Sequence, residues 1–160
     1  MTKLLKLLSE NSNFSISELA AMLGEPEEAV KAQIKEYENK GIIRGYQAII
    51  NCDYLDDSFV EALIELKVTP KKETGFDEIA EMCMAFDEVE SVYLMAGVYD
   101  LALIVRGQTM QDIAMFVAKK LSTIEGVLST GTHFIMRRYK DRGLNLTEFG
   151  SDKDERSLIL

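Results

Sequence analysis

Three lysines, Lys31, Lys35 and Lys40, stand along residues 26–40 as cations that would meet a phosphate backbone. Glu27, Glu28, Glu36 and Glu38 share the same stretch. Residues 15–46, which hold it, read as helix, tight turn, helix and a small β-wing. The topology points to a duplex reader, and the local charge points to a weak one. A plainer reading of the lysines is a solvated helix face with Glu–Lys pairs such as Glu27–Lys31 at i, i+4. Other groups that could do chemistry are sparse. There is one histidine, His133, no tryptophan, and two cysteines, Cys52 and Cys83, that form no CxxC pair. No HExxH, glycine-rich phosphate loop, nucleophile–base motif or metal spacing occurs. His133 reads as a satisfied side chain on a strand, so no catalytic residue, metal or cofactor is expected. The cysteines read as reduced thiols of a cytoplasmic protein.

The elements that must position these residues follow from periodicity and punctuation. Leu4, Leu5 and Leu8 give a short first helix over residues 3–9. Ser15 and Glu18 form a capping box for a second, with Ile16, Leu19, Ala20 and Leu23 as its apolar stripe and Gly24 as its stop. Pro26 fits the first turn of a third helix, whose inward stripe is Val30, Ile34 and Tyr37. Gly41 stops it, and residues 42–50 read as a β-hairpin turning near Arg44-Gly45.

After a polar connector at residues 51–57 the pattern changes to strand, helix, strand, strand, helix, strand. The expected strands are residues 59–68, 89–96, 99–106 and 127–139, the middle two joined tightly through Gly97-Val98. The expected helices are residues 76–86, capped by Thr74 and Asp77, and a second capped by Thr109 with Met110, Ile113, Ala114, Val117 and Leu121 in register. That order is the split βαβ of a ferredoxin-like sandwich, with both helices on one face of an antiparallel sheet. The fold class is therefore α+β. The expected domains are a winged helix-turn-helix over 1–50, a linker over 51–57, a ferredoxin-like domain over 58–140, and a loosely held tail over 141–160.

Composition bounds the partners. The net charge is −9, and 47% of residues are hydrophobic. Residues 1–50 hold 6 Lys and Arg against 7 Asp and Glu, while residues 51–160 hold 12 against 20. Indiscriminate nucleic-acid binding and adhesion to an anionic membrane are disfavoured. No apolar run approaches the roughly 20 residues of a membrane helix. The third strand of the second domain is apolar on both faces, with Leu101, Leu103 and Val105 on one and Ala102 and Ile104 on the other. Helices cover only one of these, so a second copy of the chain is expected on the open face.

The stretches ISELAAMLGEPEEAV, ENKGIIRGYQAIIN, LMAGVYDLALIV and IEGVLSTGTHFIM together make the chain resemble the Lrp/AsnC family of transcriptional regulators over about residues 3–140. The resemblance implies promoter DNA as a partner for the first domain. It also implies a small effector, commonly an amino acid, held between second domains of a dimer or octamer. The family's ligand motif falls on Gly97, Val98, Tyr99 and Asp100. Gly97 would let a carboxylate reach backbone amides, Tyr99 would give a wall and a hydroxyl, and Asp100 would hold an ammonium. A tight strand connection with a turn-favouring acid is the alternative. Thr130 and Thr132 match hydroxyl positions near the same cleft, or are ordinary strand threonines.

The family pattern also places Gln33 where an arginine is common and Glu36 where another basic residue is common. The implied DNA contacts are thus Lys31, Gln33, Lys35, Lys40 and the wing's Arg44, with Gln33 able to read an adenine edge. The rival reading is an effector-binding interaction protein of the same fold with weak or lost DNA binding. Siroheme decarboxylases share this two-domain build, but a tetrapyrrole is expected to need more basic and histidine groups than this chain offers. The chain is therefore read as a regulator and not an enzyme.

Overall fold

The computed structural model describes residues 1–55, 59–70 and 75–147. The chain divides into two compact units, Met1–Ile50 and Asn51–Leu160.

The first unit holds three helices, α1 (Lys3–Glu10), α2 (Ile16–Leu23) and α3 (Glu27–Asn39). The capping box at α2 is complete. Ser15 Oγ accepts from the Glu18 amide at 3.2 Å, and a Glu18 carboxylate oxygen accepts from the Ser15 amide at 2.7 Å. Gly24 ends α2 at φ +70°, the left-handed conformation that glycine takes without a Cβ clash. Pro26 stands just before α3 in extended conformation, where its missing N–H leaves nothing unpaired. Leu4, Leu19, Ala20 and Val30 are buried together, with Leu7, Leu8, Ile34 and Tyr37 packed against them. The three helices, of 8, 8 and 13 residues, are held by this shared core, since helices of that length are marginal alone in water.

The expected hairpin over residues 42–50 is not formed, and no strand occurs there. A two-residue hairpin turn needs positive φ, and Gly45 does not adopt it. The segment is tied to α3 instead. Ile42 and Ile43 amides both donate to the Tyr37 carbonyl, at 2.9 and 3.2 Å.

The second unit is a four-stranded antiparallel sheet of β1 (Val60–Val68), β2 (Val89–Leu94), β3 (Leu101–Gly107) and β4 (Val127–Ile135), in the order β2-β3-β1-β4. Helices α4 (Asp77–Met84) and α5 (Met110–Lys119) cover one face. Alternation along β1 decides which residues face them. Ala62, Ile64, Leu66 and Val68 are buried against Ile79, Cys83, Ile113, Phe116 and Leu121. Leu101, Leu103 and Val105 of β3 lie opposite in register on the same side. Phe116, outside the expected α5 stripe, is buried and meets Phe86 edge-on at 5.3 Å. Thr109 and Asp112 form a second capping box. The expected Thr74 cap of α4 and the Leu-Ile-Leu end of the chain lie outside the described residues.

Two other expectations are corrected. The join between β2 and β3 is a six-residue loop, residues 95–100, and not a tight turn. The polar stretch from Lys140 is not loose throughout. β5 (Lys140–Asp141) pairs with β6 (Leu144–Asn145) across Arg142 and Gly143, at φ +43° and +94°. Asn51 Nδ2 fastens this hairpin by donating to the Leu146 carbonyl at 2.6 Å. Arg138 secures its start by pairing with Glu61 and, at 3.2 Å, with Asp141.

Candidate DNA-binding and effector sites

Helix α3 turns about 100° per residue, so its cations divide between two flanks. Lys31 and Lys35 stand to one side of the inward Val30–Ile34–Tyr37 stripe, and Gln33 and Lys40 stand to the other. All four are exposed. Lys31 pairs with Glu28 at 3.5 Å rather than with the expected Glu27, and Lys40 pairs with Glu36 at 2.6 Å. That carboxylate, through its hydrogen bond, holds the Lys40 ammonium above its ordinary range. Lys35 and Arg44 make no ion pair among the described residues. Gln33 faces a groove of about 560 Å³ shared with Lys3, Ala29, Ala32 and Glu36. The five expected DNA contacts therefore do not form one patch. Lys31 and Lys35 share a flank, and Gln33 lies across the helix from them.

Glu38, seven residues beyond Lys31, shares that first flank and accepts from the Tyr46 hydroxyl at 3.0 Å. Burial first, and then this carboxylate, holds the Tyr46 hydroxyl protonated above its usual range. Sequence reasoning gives Tyr46 no role, because its partner lies eight residues back on a different element.

In the second unit the 95–100 loop carries the expected ligand motif. Asp100 stitches that loop to β1 and to its own start. Its amide donates to the Leu66 carbonyl at 2.9 Å, and its carbonyl accepts from the Met95 amide at 2.8 Å. Its carboxylate accepts from the Val68 amide at 2.9 Å through one oxygen and from Lys67 Nζ at 3.0 Å through the other. The Val68 N–H, and after it Lys67, hold this carboxyl below the usual carboxylate range. Both oxygens are thus already engaged, so a ligand ammonium would have to share them. Gly97 is exposed, without positive φ and with open space where a Cβ would stand. Neither backbone nor neighbours demand glycine there, and the residue is open to solvent.

Tyr99 crosses to β4. A Cβ placed on Gly131 would lie 3.4 Å from the Tyr99 hydroxyl and 3.6 Å from His133 Nε2. The ring therefore rests over Gly131, beside His133, which meets a Glu65 oxygen at 3.0 Å. Register puts Gly131, His133 and Glu65 on the sheet face away from the helices. Thr130 and Thr132 pair with Leu66 and Ile64, whose side chains face the helices. Gly97, Tyr99 and Asp100 share the 95–100 loop, and the two threonines lie on the face of β4 opposite to Gly131 and the Tyr99 ring. Gly131 is the residue the sequence reading passes over. A glycine inside a strand is the available signal, since such glycines mark close approach.

Part of the open face is already covered. Glu61, 8% exposed, holds Arg106 at 3.4 Å as well as Arg138, and the Arg106 guanidinium stacks 3.6 Å over Phe59. Apolar surface remains at Leu63 and Ile104, both half-buried, and at Tyr93, 52% exposed. Among the described residues no helix is long and apolar enough to cross a membrane, and no three His, Cys, Asp or Glu cluster to hold a metal.

Comparison with known proteins gives these features a frame. Residues 2–44 match a model of winged helix-turn-helix DNA-binding domains, and residues 61–144 match that of the Lrp/AsnC ligand binding domain. An uncharacterised HTH-type transcriptional regulator of Bacillus subtilis, YugG, is 46% identical over 99% of this chain and 95% of its own length. The regulator LrpA of Pyrococcus abyssi is 31% identical over 86% of this chain and 94% of its own. Among solved structures, E. coli AsnC superposes with a TM-score of 0.66 at 20% identity, covering 88% of this chain and 93% of its own. A transcriptional regulator of Neisseria meningitidis in complex with L-Met superposes with a TM-score of 0.70 at 22% identity, covering 92% and 97%.

Proposed function

The chain belongs to the Lrp/AsnC family of DNA-binding transcriptional regulators, and on that premise we propose that an amino acid, bound between second units of an oligomer, sets its activity. The observation that carries this reading is the sheet face away from the helices. It presents Leu63, Ile104 and Tyr93 to solvent in the single chain, beside a loop whose Gly97 peptide is open. Apolar surface of that kind is covered most simply by the same face of a second copy about a twofold axis. The L-Met complex of the Neisseria regulator supports an amino acid as the ligand class.

The division of labour in the loop follows from its bonds. The Gly97 peptide and the neighbouring amides receive the ligand carboxylate, and Tyr99 walls the cleft. Asp100 fixes the loop in place. Only through lone pairs left over from Val68 and Lys67 would it accept from the ammonium. In the first unit Lys31, Lys35 and Arg44 contact phosphates, and linked heads in one oligomer raise the effective concentration of weak individual contacts.

A thermal-shift screen of the common amino acids against the full chain tests the reading. A ligand of the native state raises its apparent stability. At least one amino acid is expected to raise the Tm, and Gly97→Val to abolish that rise without lowering the unliganded Tm. No shift with any amino acid would remove the effector proposal. A rise that survives Gly97→Val would remove the site.

A further inference from the structure

An acidic residue on the DNA-facing helix is ordinarily a liability, because it repels phosphate. Glu38 is placed to do the opposite. Residues 42–50 form no strand pair, so no ladder holds the segment that carries Arg44. The contacts on either side of Arg44 are short and local. The Ile42 and Ile43 amides reach the Tyr37 carbonyl, Gly41 turns at φ +67°, and the Tyr46 hydroxyl reaches Glu38 at 3.0 Å. Between the last two lies Arg44, whose Nη1 sits 3.4 Å from where a Cβ on Gly41 would stand. Glu38 shares the α3 flank of Lys31 and Lys35, one turn beyond Lys35.

We propose that Glu38 and Tyr46 are positioning residues for DNA binding: their hydrogen bond holds the segment bearing Arg44 against the flank of α3 that bears Lys31 and Lys35. The proposal rests on the reading of those three cations as phosphate contacts. A hydroxyl bonded to a carboxylate is stronger than a neutral pair, and that strength is what an unladdered segment lacks. With the strut in place, Arg44 joins the two lysines as a preset third cation. Without it the segment strays from α3, Arg44 no longer meets its phosphate, and affinity falls.

Charge alone makes contrary predictions, so the two accounts separate. If Glu38 only repels phosphate, Glu38→Ala and Glu38→Gln both tighten binding and Tyr46→Phe changes nothing. If it positions Arg44, Tyr46→Phe weakens binding about fivefold, the worth of one ordinary hydrogen bond. Glu38→Ala weakens binding despite removing a negative charge, while Glu38→Gln, whose amide oxygen still accepts, binds at least as well as the unchanged chain. The experiment is fluorescence anisotropy of the full chain with a labelled duplex of arbitrary sequence, titrated across a salt series. Phosphate neutralisation is read from the slope of log K against log salt, which becomes shallower by about 0.9 for each phosphate that a cation no longer meets. Tyr46→Phe and Glu38→Ala are expected to share that shallower slope with Arg44→Ala, at unchanged Tm. Binding by Tyr46→Phe with the slope of the unchanged chain would overturn the positioning role alone. Arg44→Ala, Lys31→Ala and Lys35→Ala all leaving the slope untouched would overturn the phosphate reading on which it rests.

Discussion

Asp100, read from its neighbours in sequence as a ligand group, also has structural partners. Two backbone and two side-chain hydrogen bonds tie it to β1 and to the start of its own loop. Asp100→Ala removes both side-chain bonds. Asp100→Asn keeps an oxygen for the Val68 amide and loses only the Lys67 ion pair. The Tm is therefore expected to fall further in Asp100→Ala than in Asp100→Asn, by thermal unfolding without ligand. Equal Tm values in both variants and the unchanged chain would discard the anchor. The pH dependence has a definite sign. A carboxyl held below its ordinary value of 3.8 contributes its full stabilisation above that pH. The contribution fades as the pH falls through the lower folded value. The stability gap between the unchanged chain and Asp100→Asn should accordingly narrow in acid titrations below about pH 4.

Single elements here stand or fall by their ends. Helix α5 begins at a complete capping box, with Thr109 Oγ1 accepting from the Asp112 amide at 3.1 Å and an Asp112 oxygen accepting from the Thr109 amide at 2.9 Å. Thr109→Ala should cost about 1 kcal/mol in urea unfolding with an unchanged m-value. A midpoint that stays put would show that Phe116, Ile113 and Val117 fix α5 without its cap. The strand ends tell a complementary story. The dipeptide Arg-Gly occurs three times, at 44–45, 106–107 and 142–143, and only the last turns a hairpin. At 142–143 the flanks are already fastened by Arg138, Asn51 and the Leu146 amide bonded to the Tyr139 carbonyl. At 44–45 the flanks run along α3 instead. Identical turn chemistry thus gave opposite outcomes, because the fastening groups lie elsewhere in the chain.

At the scale of the whole molecule, the proposed assembly rests on the open sheet face. Ile104 and Leu63 are neighbours across β3 and β1 on that face, half-buried in the single chain. Ile104→Glu sets a charge there without touching Leu103 or Val105 on the helix side. It is expected to reduce the sedimenting mass to that of one chain of 18.0 kDa while leaving the circular dichroism unchanged. An oligomer that persists in Ile104→Glu would move the interface off this sheet. The sequence by itself determined the two-part plan, the helices, the four strands of the sheet, the Ser15–Glu18 capping box and the Thr109 cap. Each of these is written in local periodicity or in residues three apart, where side chain and backbone meet without help from the rest of the fold. Only the tertiary structure decided that Asp100 spends its oxygens on β1, that Tyr99 rests over Gly131, and that Thr130 and Thr132 face away from both. Those outcomes depend on register between strands more than thirty residues apart, and a slip of one residue would have exchanged every face.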